Sequence, residues 1–103
     1  MIVEGKKLTA FDAMEAVMNL SDMYEANNSK KTVSFRFSGT LNTMEFYFSE
    51  WGLFDLTTNS HFYVHLDNMT LGDNFSDVFE VIQKEMDEMA KIQKEREQCN
   101  SEL

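Results

Sequence analysis

The spacing of apolar residues divides the chain into helical and extended segments. Between Thr9 and Asn28 apolar positions recur every three or four residues, which predicts a helix over about 10–26. Thr9 and Asp12 form a capping-box pattern at its start, and the asparagines at 27 and 28 favour an end there. The apolar positions assigned to this helix are Phe11, Met14, Val17, Met18, Met23 and Tyr24.

A period of two replaces the helical period after residue 31 and predicts four strands. Segments 33–37, 44–48 and 62–66 alternate apolar and polar residues, and 53–57 is a weaker strand. Turn signals at 38–40, 50–52 and 58–60 separate the strands. Such short connections make consecutive strands antiparallel neighbours. The predicted apolar face of the sheet consists of Val33, Phe35, Phe37, Met44, Phe46, Phe48, Phe62, Val64 and Leu66.

The helical period returns after a loop at 67–74. It predicts a second helix from near Asn74 to about Gln98, with acidic residues early and basic residues late, as the helix dipole favours. Its apolar stripe is Phe75, Val78, Phe79, Ile82, Met86, Met89 and Ile92. The element order α-β-β-β-β-α predicts an α+β fold: a two-layer sandwich with an N-terminal and a C-terminal helix on one face of a four-stranded antiparallel meander.

Length and composition point to one intracellular domain. A chain of 103 residues is the size of a single domain, here 1–103, with 1–8 as an N-terminal arm or short strand and about 93–103 as a frayed helical or solvated tail. We find no signal-peptide pattern and no segment apolar enough to span a membrane. The single Cys99 is expected to be a reduced thiol, with an intermolecular bridge as the alternative. These features predict a cytoplasmic protein.

The negative charge of the chain is concentrated in one segment. The chain has 18 acidic and 9 basic residues, and residues 37–83 contain seven carboxylates and no lysine or arginine. A surface of one sign attracts a basic partner and repels nucleic acid and anionic membranes. We therefore expect a basic protein partner, with no direct contact to nucleic acid and no membrane association. The alternative is that the charge only keeps a small protein in solution.

The predicted partner-binding residues are mainly acidic and aromatic residues of 37–83, which we call the base-free segment because it has no lysine or arginine. Carboxylates can take the place of phosphates in a basic groove, and exposed aromatic rings the place of bases. Buried Trp or Tyr would supply affinity, while the acids would speed association. Met69 is added as an apolar contact in the acidic loop. The predicted set is Glu45, Tyr47, Glu50, Trp51, Asp55, Tyr63, Asp67, Met69, Asp73, Asp77 and Glu80.

One strand carries residues of metal-ligand type. His61, His65 and Asp67 alternate with apolar residues, and so they share a face with Tyr63. The two histidines lie roughly 13 Å apart along a strand, too far to bind one ion, and His65 with Asp67 would need another ligand. The sequence has no nucleophile elbow, phosphate loop or cysteine pair. We expect no enzyme activity and no cofactor, and keep a metal-assisted enzyme around His65 and Asp67 as an alternative.

In size, acidity and lack of catalytic motifs the chain resembles small inhibitors encoded by phages and mobile elements, including anti-CRISPR proteins and other DNA mimics. The resemblance lies in composition and carries no motif, so it implies no site residues. It implies an inhibitor that blocks a basic nucleic-acid-binding site on a partner protein. The alternative is a structural or adaptor module that forms a homo-oligomer or an apolar contact with another protein, and a homodimer is left open.

Overall fold

The structure, a computed structural model, describes residues 1–101, and for 99–101 it describes the backbone only. Its α+β fold and its four-stranded antiparallel sheet confirm the predicted class. A two-stranded N-terminal hairpin precedes this unit and occupies part of the predicted arm. The elements are β1 (Ile2–Val3), β2 (Lys6–Lys7), α1 (Ala10–Ala26), β3 (Lys31–Ser38), β4 (Thr43–Trp51), β5 (Leu56–Asp67), β6 (Thr70–Leu71), a 3-10 helix (Asp73–Phe75) and α2 (Ser76–Ser101).

Local hydrogen bonds set the bounds of α1. The Thr9 hydroxyl accepts the Asp12 N–H at 3.4 Å, and the Asp12 carboxylate accepts the Thr9 N–H at 2.8 Å, so two free donors of the first turn are satisfied. At the other end the Asn27 side-chain amide donates to the Met23 carbonyl, and Asn28 adopts a positive φ of 53°. The predicted bounds of this helix, 10–26, are confirmed.

The sheet has the order β3-β4-β5-β6, so every strand pairs with its neighbour in the chain. The predicted turn at 58–60 is wrong, because these residues lie inside the long strand β5. Thr58 pairs with Ser49, Ser60 pairs with Phe48, and Asn59 is the extra residue of a β-bulge. The polar composition of 57–60 resembles a turn, but these residues lie in a mostly exposed half-strand, where no apolar alternation is required.

The two predicted strands at 53–57 and 62–66 therefore merge into one, and the fourth strand is β6. Asn68 and Met69 both have positive φ and form the two-residue turn between β5 and β6. The predicted turn at 50–52 lies farther along the chain: β4 continues to Trp51, and the Gly52 N–H donates to the Asp55 carbonyl at 2.8 Å.

One core lies between the helices and the inner face of the sheet. Phe46, on the central strand β4, and Phe75, before α2, are fully buried with ring centroids 5.6 Å apart. The prediction for α1 is partly wrong, because Phe11 and Met18 are 66% and 62% exposed. Phe37 is also 40% exposed at the end of β3. The face that α1 buries consists of Ala10, Ala13, Val17, Leu20 and Tyr24.

The two helices begin at the same end of the molecule. The Ala10 N–H donates to the Met69 carbonyl at 2.8 Å, and Leu71 N–H donates to the Leu8 carbonyl at 2.9 Å, so the start of α1 lies beside β6. The chain then enters α2 within five residues of β6. The predicted tail at about 93–103 is a continuous helix to Ser101, exposed over 93–98. Residues 102–103 and the Cys99 side chain lie outside what the structure describes.

Candidate partner-binding surface

The predicted partner-binding residues fall into three groups along β5 rather than into one patch. Glu50, Trp51 and Asp55 lie at the β4–β5 turn, where β5 begins. The outer face of the sheet holds Glu45, Tyr47 and Tyr63. At the far end of β5 are Asp67, Met69, Asp73, Asp77 and Glu80. The two ends of β5 are separated by roughly 36 Å, given about 3.3 Å per residue, so one compact partner site cannot include all three groups.

The outer face of the sheet is not purely acidic. Arg36 lies directly opposite Glu45 in the β3–β4 register, although Arg36 precedes the base-free segment by one residue. Glu45 also lies 3.3 Å from the Nε2 atom of His61, whose ring stacks on Tyr47 at a centroid distance of 4.5 Å. Partial desolvation and the nearby Glu45 carboxylate raise the pKa of the Tyr47 phenol, which therefore stays a neutral donor. This face is mixed in charge and its rings contact one another.

The acids at the far end of β5 lie where both helices begin. Asp73 and Asp77 lie in the first turns of the 3-10 helix and α2, and Asp12 caps α1, so these carboxylates stabilise the positive ends of the helix dipoles. Bases are near as well: Lys6 forms a 3.2 Å ion pair with Asp12, and the N-terminal amine donates to the Leu71 carbonyl. A structural role thus accounts for much of the acidity at this end.

The β4–β5 turn carries the largest exposed apolar group of side chains. We call residues 51–56 the hairpin tip. Leu53 and Phe54 are 87% and 93% exposed, and Trp51 and Leu56 are about half exposed at 50% and 46%. The tip is held by the Gly52–Asp55 hydrogen bond and by the Trp51 N–H, which donates to the Lys30 carbonyl at 2.8 Å. Four large apolar side chains are therefore presented to solvent on a hydrogen-bonded turn.

Two carboxylates lie close to the apolar side chains of the tip: Glu50 directly precedes the tip, and Asp55 belongs to it. Lys31 lies opposite Glu50 in the register, but its ammonium lies 3.1 Å from Glu85 on α2. Within the described residues neither Glu50 nor Asp55 has a basic side chain within 4.0 Å. Two carboxylates without an ion pair within 4.0 Å in the described part of the chain therefore lie beside the apolar residues of the tip. Burial alone would lower the pKa of Lys31, but Glu85 and, more weakly, the charge of Glu50 contribute to raising it.

The ion pair between Lys31 and Glu85 is part of a network that joins both helices to the sheet. The Tyr24 hydroxyl on α1 donates to Glu85 Oε1 at 2.6 Å, and Lys31 Nζ donates to both Glu85 oxygens at 3.1 and 3.4 Å. Burial alone would raise the pKa of the Glu85 carboxyl, but the hydrogen bonds from Tyr24 and Lys31 outweigh burial and lower it. Burial, and then Glu85, raise the pKa of the Tyr24 phenol.

This network predicts a pH-dependent contribution to stability. Because the pKa of Glu85 is lowered from its ordinary 4.5, its contribution is present above that pH and is lost as the pH falls through the folded-state value. We expect the difference in unfolding free energy between the native protein and Glu85→Gln to be constant from about pH 6 to 9 and to shrink towards pH 3. Urea titrations across this range measure the difference, and a difference that grows at acid pH would contradict the prediction.

A cleft beside this network and the histidine strand are the other candidate sites. The cleft has a volume of about 240 Å³, and its lining combines the apolar Phe48 and Val81 with the charged Lys31, Lys84 and Glu85 and small polar residues of the bulge. Tyr63 and His65 contact edge to face at 5.1 Å. Among residues 1–98 no group of three or more His, Cys, Asp or Glu side chains is placed to hold a metal ion. None of the helices in residues 1–101 contains an apolar stretch of the length that a bilayer requires.

Comparison with known proteins gives no match: no family model, no curated protein and no solved structure matches the sequence. The predicted partner-binding set includes Glu50, Trp51 and Asp55 but leaves out Leu53, Phe54 and Leu56, which the periodicity assigned to a weak strand. A turn signal was present, since Gly52 and Asp55 bracket Leu53 and Phe54, and both residue types favour turns.

Proposed function

We propose that this protein is a non-catalytic inhibitor that docks its hairpin tip on a basic patch of a partner protein. The observation that carries the proposal is the near-complete exposure of Leu53 and Phe54 beside Trp51 on a hydrogen-bonded turn. Exposed apolar groups of this kind, bordered by polar residues, mark interaction sites, and Trp is a favoured anchor of interfaces. The partner supplies an apolar pocket for these side chains.

Charge supports the basic character of the partner. Among the described residues neither Glu50, next to the tip, nor Asp55, within it, forms an ion pair, and the whole chain has a net charge of −9. Lysines and arginines around the pocket would therefore form ion pairs with Glu50 and Asp55, and long-range attraction between the two proteins would speed association. Basic patches of this kind bind phosphates in nucleic-acid-handling proteins. A hairpin tip bound to such a patch would exclude nucleic acid from it.

The experiment first identifies the partner at the tip itself. A photo-crosslinking phenylalanine analogue replaces Phe54, and the proteins of the source cell that become covalently attached are identified by mass spectrometry. Binding of the purified partner is then measured by calorimetry at low and high salt. We expect the double variant Leu53→Asp, Phe54→Asp to bind at least tenfold more weakly, and the native affinity to fall with salt because screening weakens charge attraction.

A matched control separates a tip effect from a general loss of exposed apolar surface. Ile2 and Phe11 are 63% and 66% exposed, and both lie in the part of the chain beside β6, at the other end of β5 from the tip. The variant Ile2→Asp, Phe11→Asp should bind within about threefold of the native protein, since surface changes away from an interface are usually small. The proposal fails when the tip variant binds as well as this control, or when partner and nucleic acid bind each other equally with and without the inhibitor.

A further inference from the structure

The outer edge of β3 is a regular and unpaired strand edge. β3 pairs with β4 over eight consecutive residues without a register shift, and within residues 1–101 no strand lies on its other side. The opposite side of the sheet differs, because β5 is interrupted by the bulge at Asn59 and its end is paired with β6. Bulges and short covering strands protect edges from pairing, whereas a regular edge is a template for another strand.

The hydrogen bond between the Trp51 N–H and the Lys30 carbonyl fixes which groups this edge presents. Because this bond joins the neighbours of Lys31 and Glu50, those two residues form a non-hydrogen-bonded pair. Hydrogen-bonded and non-hydrogen-bonded pairs alternate along an antiparallel ladder, so Thr32, Ser34 and Arg36 direct their N–H and C=O groups towards β4. The N–H and C=O groups of Val33, Phe35 and Phe37 accordingly point away from the sheet. They form a regular row of donors and acceptors.

We propose that this edge pairs with the same edge of a second copy, which joins two sheets into one eight-stranded antiparallel sheet. Two two-fold registers align seven residues of β3, one centred on Ser34 and one on Phe35. The proposed dimer uses the first, which sets Val33 opposite Phe35 of the second copy. On this face Phe35 is half-buried and Phe37 is 40% exposed, so a second copy would cover apolar surface that the helices of one copy leave open.

Charge is compatible with this two-fold register. Arg36 lies opposite Thr32 of the second copy, and Lys31 lies opposite Phe37, over which its aliphatic stem can pack. No two like charges face each other across the pair. Because a two-fold interface is isologous, each of these favourable pairings occurs twice in the dimer.

A cysteine at the two-fold centre tests both the pairing and its register. Ser34 is exposed, and in the proposed dimer it faces its own copy in a pair without direct backbone bonds, with Cα atoms about 4.5 Å apart, within disulfide range. In a Cys99→Ser background we expect Ser34→Cys to form a covalent dimer on mild oxidation. Thr32→Cys is the matched control, since its two copies would be separated by roughly 13 Å and should remain unlinked.

Light scattering of the native chain provides the second readout. We expect a dimer at high concentration and a monomer for Ser34→Lys, which sets two ammonium groups face to face at the two-fold axis. Equal crosslinking of both cysteine variants, or a native chain that stays monomeric at the highest concentration reached, would overturn the proposal. Since two copies of charge −9 repel each other, dimerisation should strengthen with salt. Partner binding at the hairpin tip should weaken with salt, so failure of one proposal is distinguishable from failure of the other.

Discussion

Phe46→Ala is expected to lower the free energy of unfolding by about 3–5 kcal/mol, the usual cost of removing a buried aromatic ring. Phe46 is fully buried on β4 and its ring lies 5.6 Å from that of Phe75, so the substitution leaves a cavity where the sheet meets the start of α2. Domains of this size have about 5–15 kcal/mol of total stability, so a large part would be lost. Urea unfolding followed by circular dichroism measures the change.

Phe54→Ala is the matched control, because the same chemical change is made at a ring that is 93% exposed. Its effect on stability should stay within about 0.5 kcal/mol, as for other exposed positions. A loss of less than about 1 kcal/mol for Phe46→Ala would contradict the position of this ring in the core. The pair also separates stability from binding, since Phe54 belongs to the proposed interface.

Glu85→Ala is expected to cost about 2–3 kcal/mol, below the range for a fully buried ion pair because the Glu85 side chain is 15% exposed. The substitution removes the acceptor of both the Tyr24 hydroxyl and the Lys31 ammonium, which are left partly buried. Thermal and urea unfolding at neutral pH give the change in stability.

Glu88→Ala provides the comparison for Glu85. Glu88 lies 3.7 Å from the same ammonium but its side chain is 47% exposed, so the loss should stay below about 1 kcal/mol. Equal losses for the two variants would indicate that the negative charge alone, rather than the hydrogen bonds from Tyr24, stabilises this junction. The double variant Tyr24→Phe, Glu85→Ala should cost little more than Glu85→Ala, because the two residues share one interaction.

The bounds of α1 were predictable because they depend on residues close in sequence. Thr9 and Asp12 bond to each other's backbone, and Asn28 adopts the positive φ that asparagine tolerates. The buried face of the same helix was less predictable. Small residues such as Ala10 and Ala13 allow close packing, while Phe11 and Met18 remain outside. Apolar character alone does not decide burial, because much of a protein surface is apolar.

The charge pattern of the surface could not be predicted, because it depends on the pairing of distant strands. A segment without lysine or arginine over 37–83 suggested an acidic sheet face. The register places Arg36 opposite Glu45, and it places Lys31 where Glu85 can attract it. The first pairing makes the sheet face mixed in charge, and the second leaves Glu50, next to the hairpin tip, without an ion pair within 4.0 Å among residues 1–98. Neither the mixed charge of the face nor the state of Glu50 can be inferred from the sequence without knowing which strand residues lie opposite each other.

The meander topology has a consequence for how quickly the chain folds. Each strand of the four-stranded sheet pairs with the next strand along the chain, and the sequence contains no proline. Hairpins close within about 1–10 μs, whereas prolyl isomerisation takes tens of seconds. Contacts between residues close in sequence favour fast folding. After dilution from denaturant, the chain should therefore regain its sheet in a single rapid phase, without a population of slowly refolding molecules.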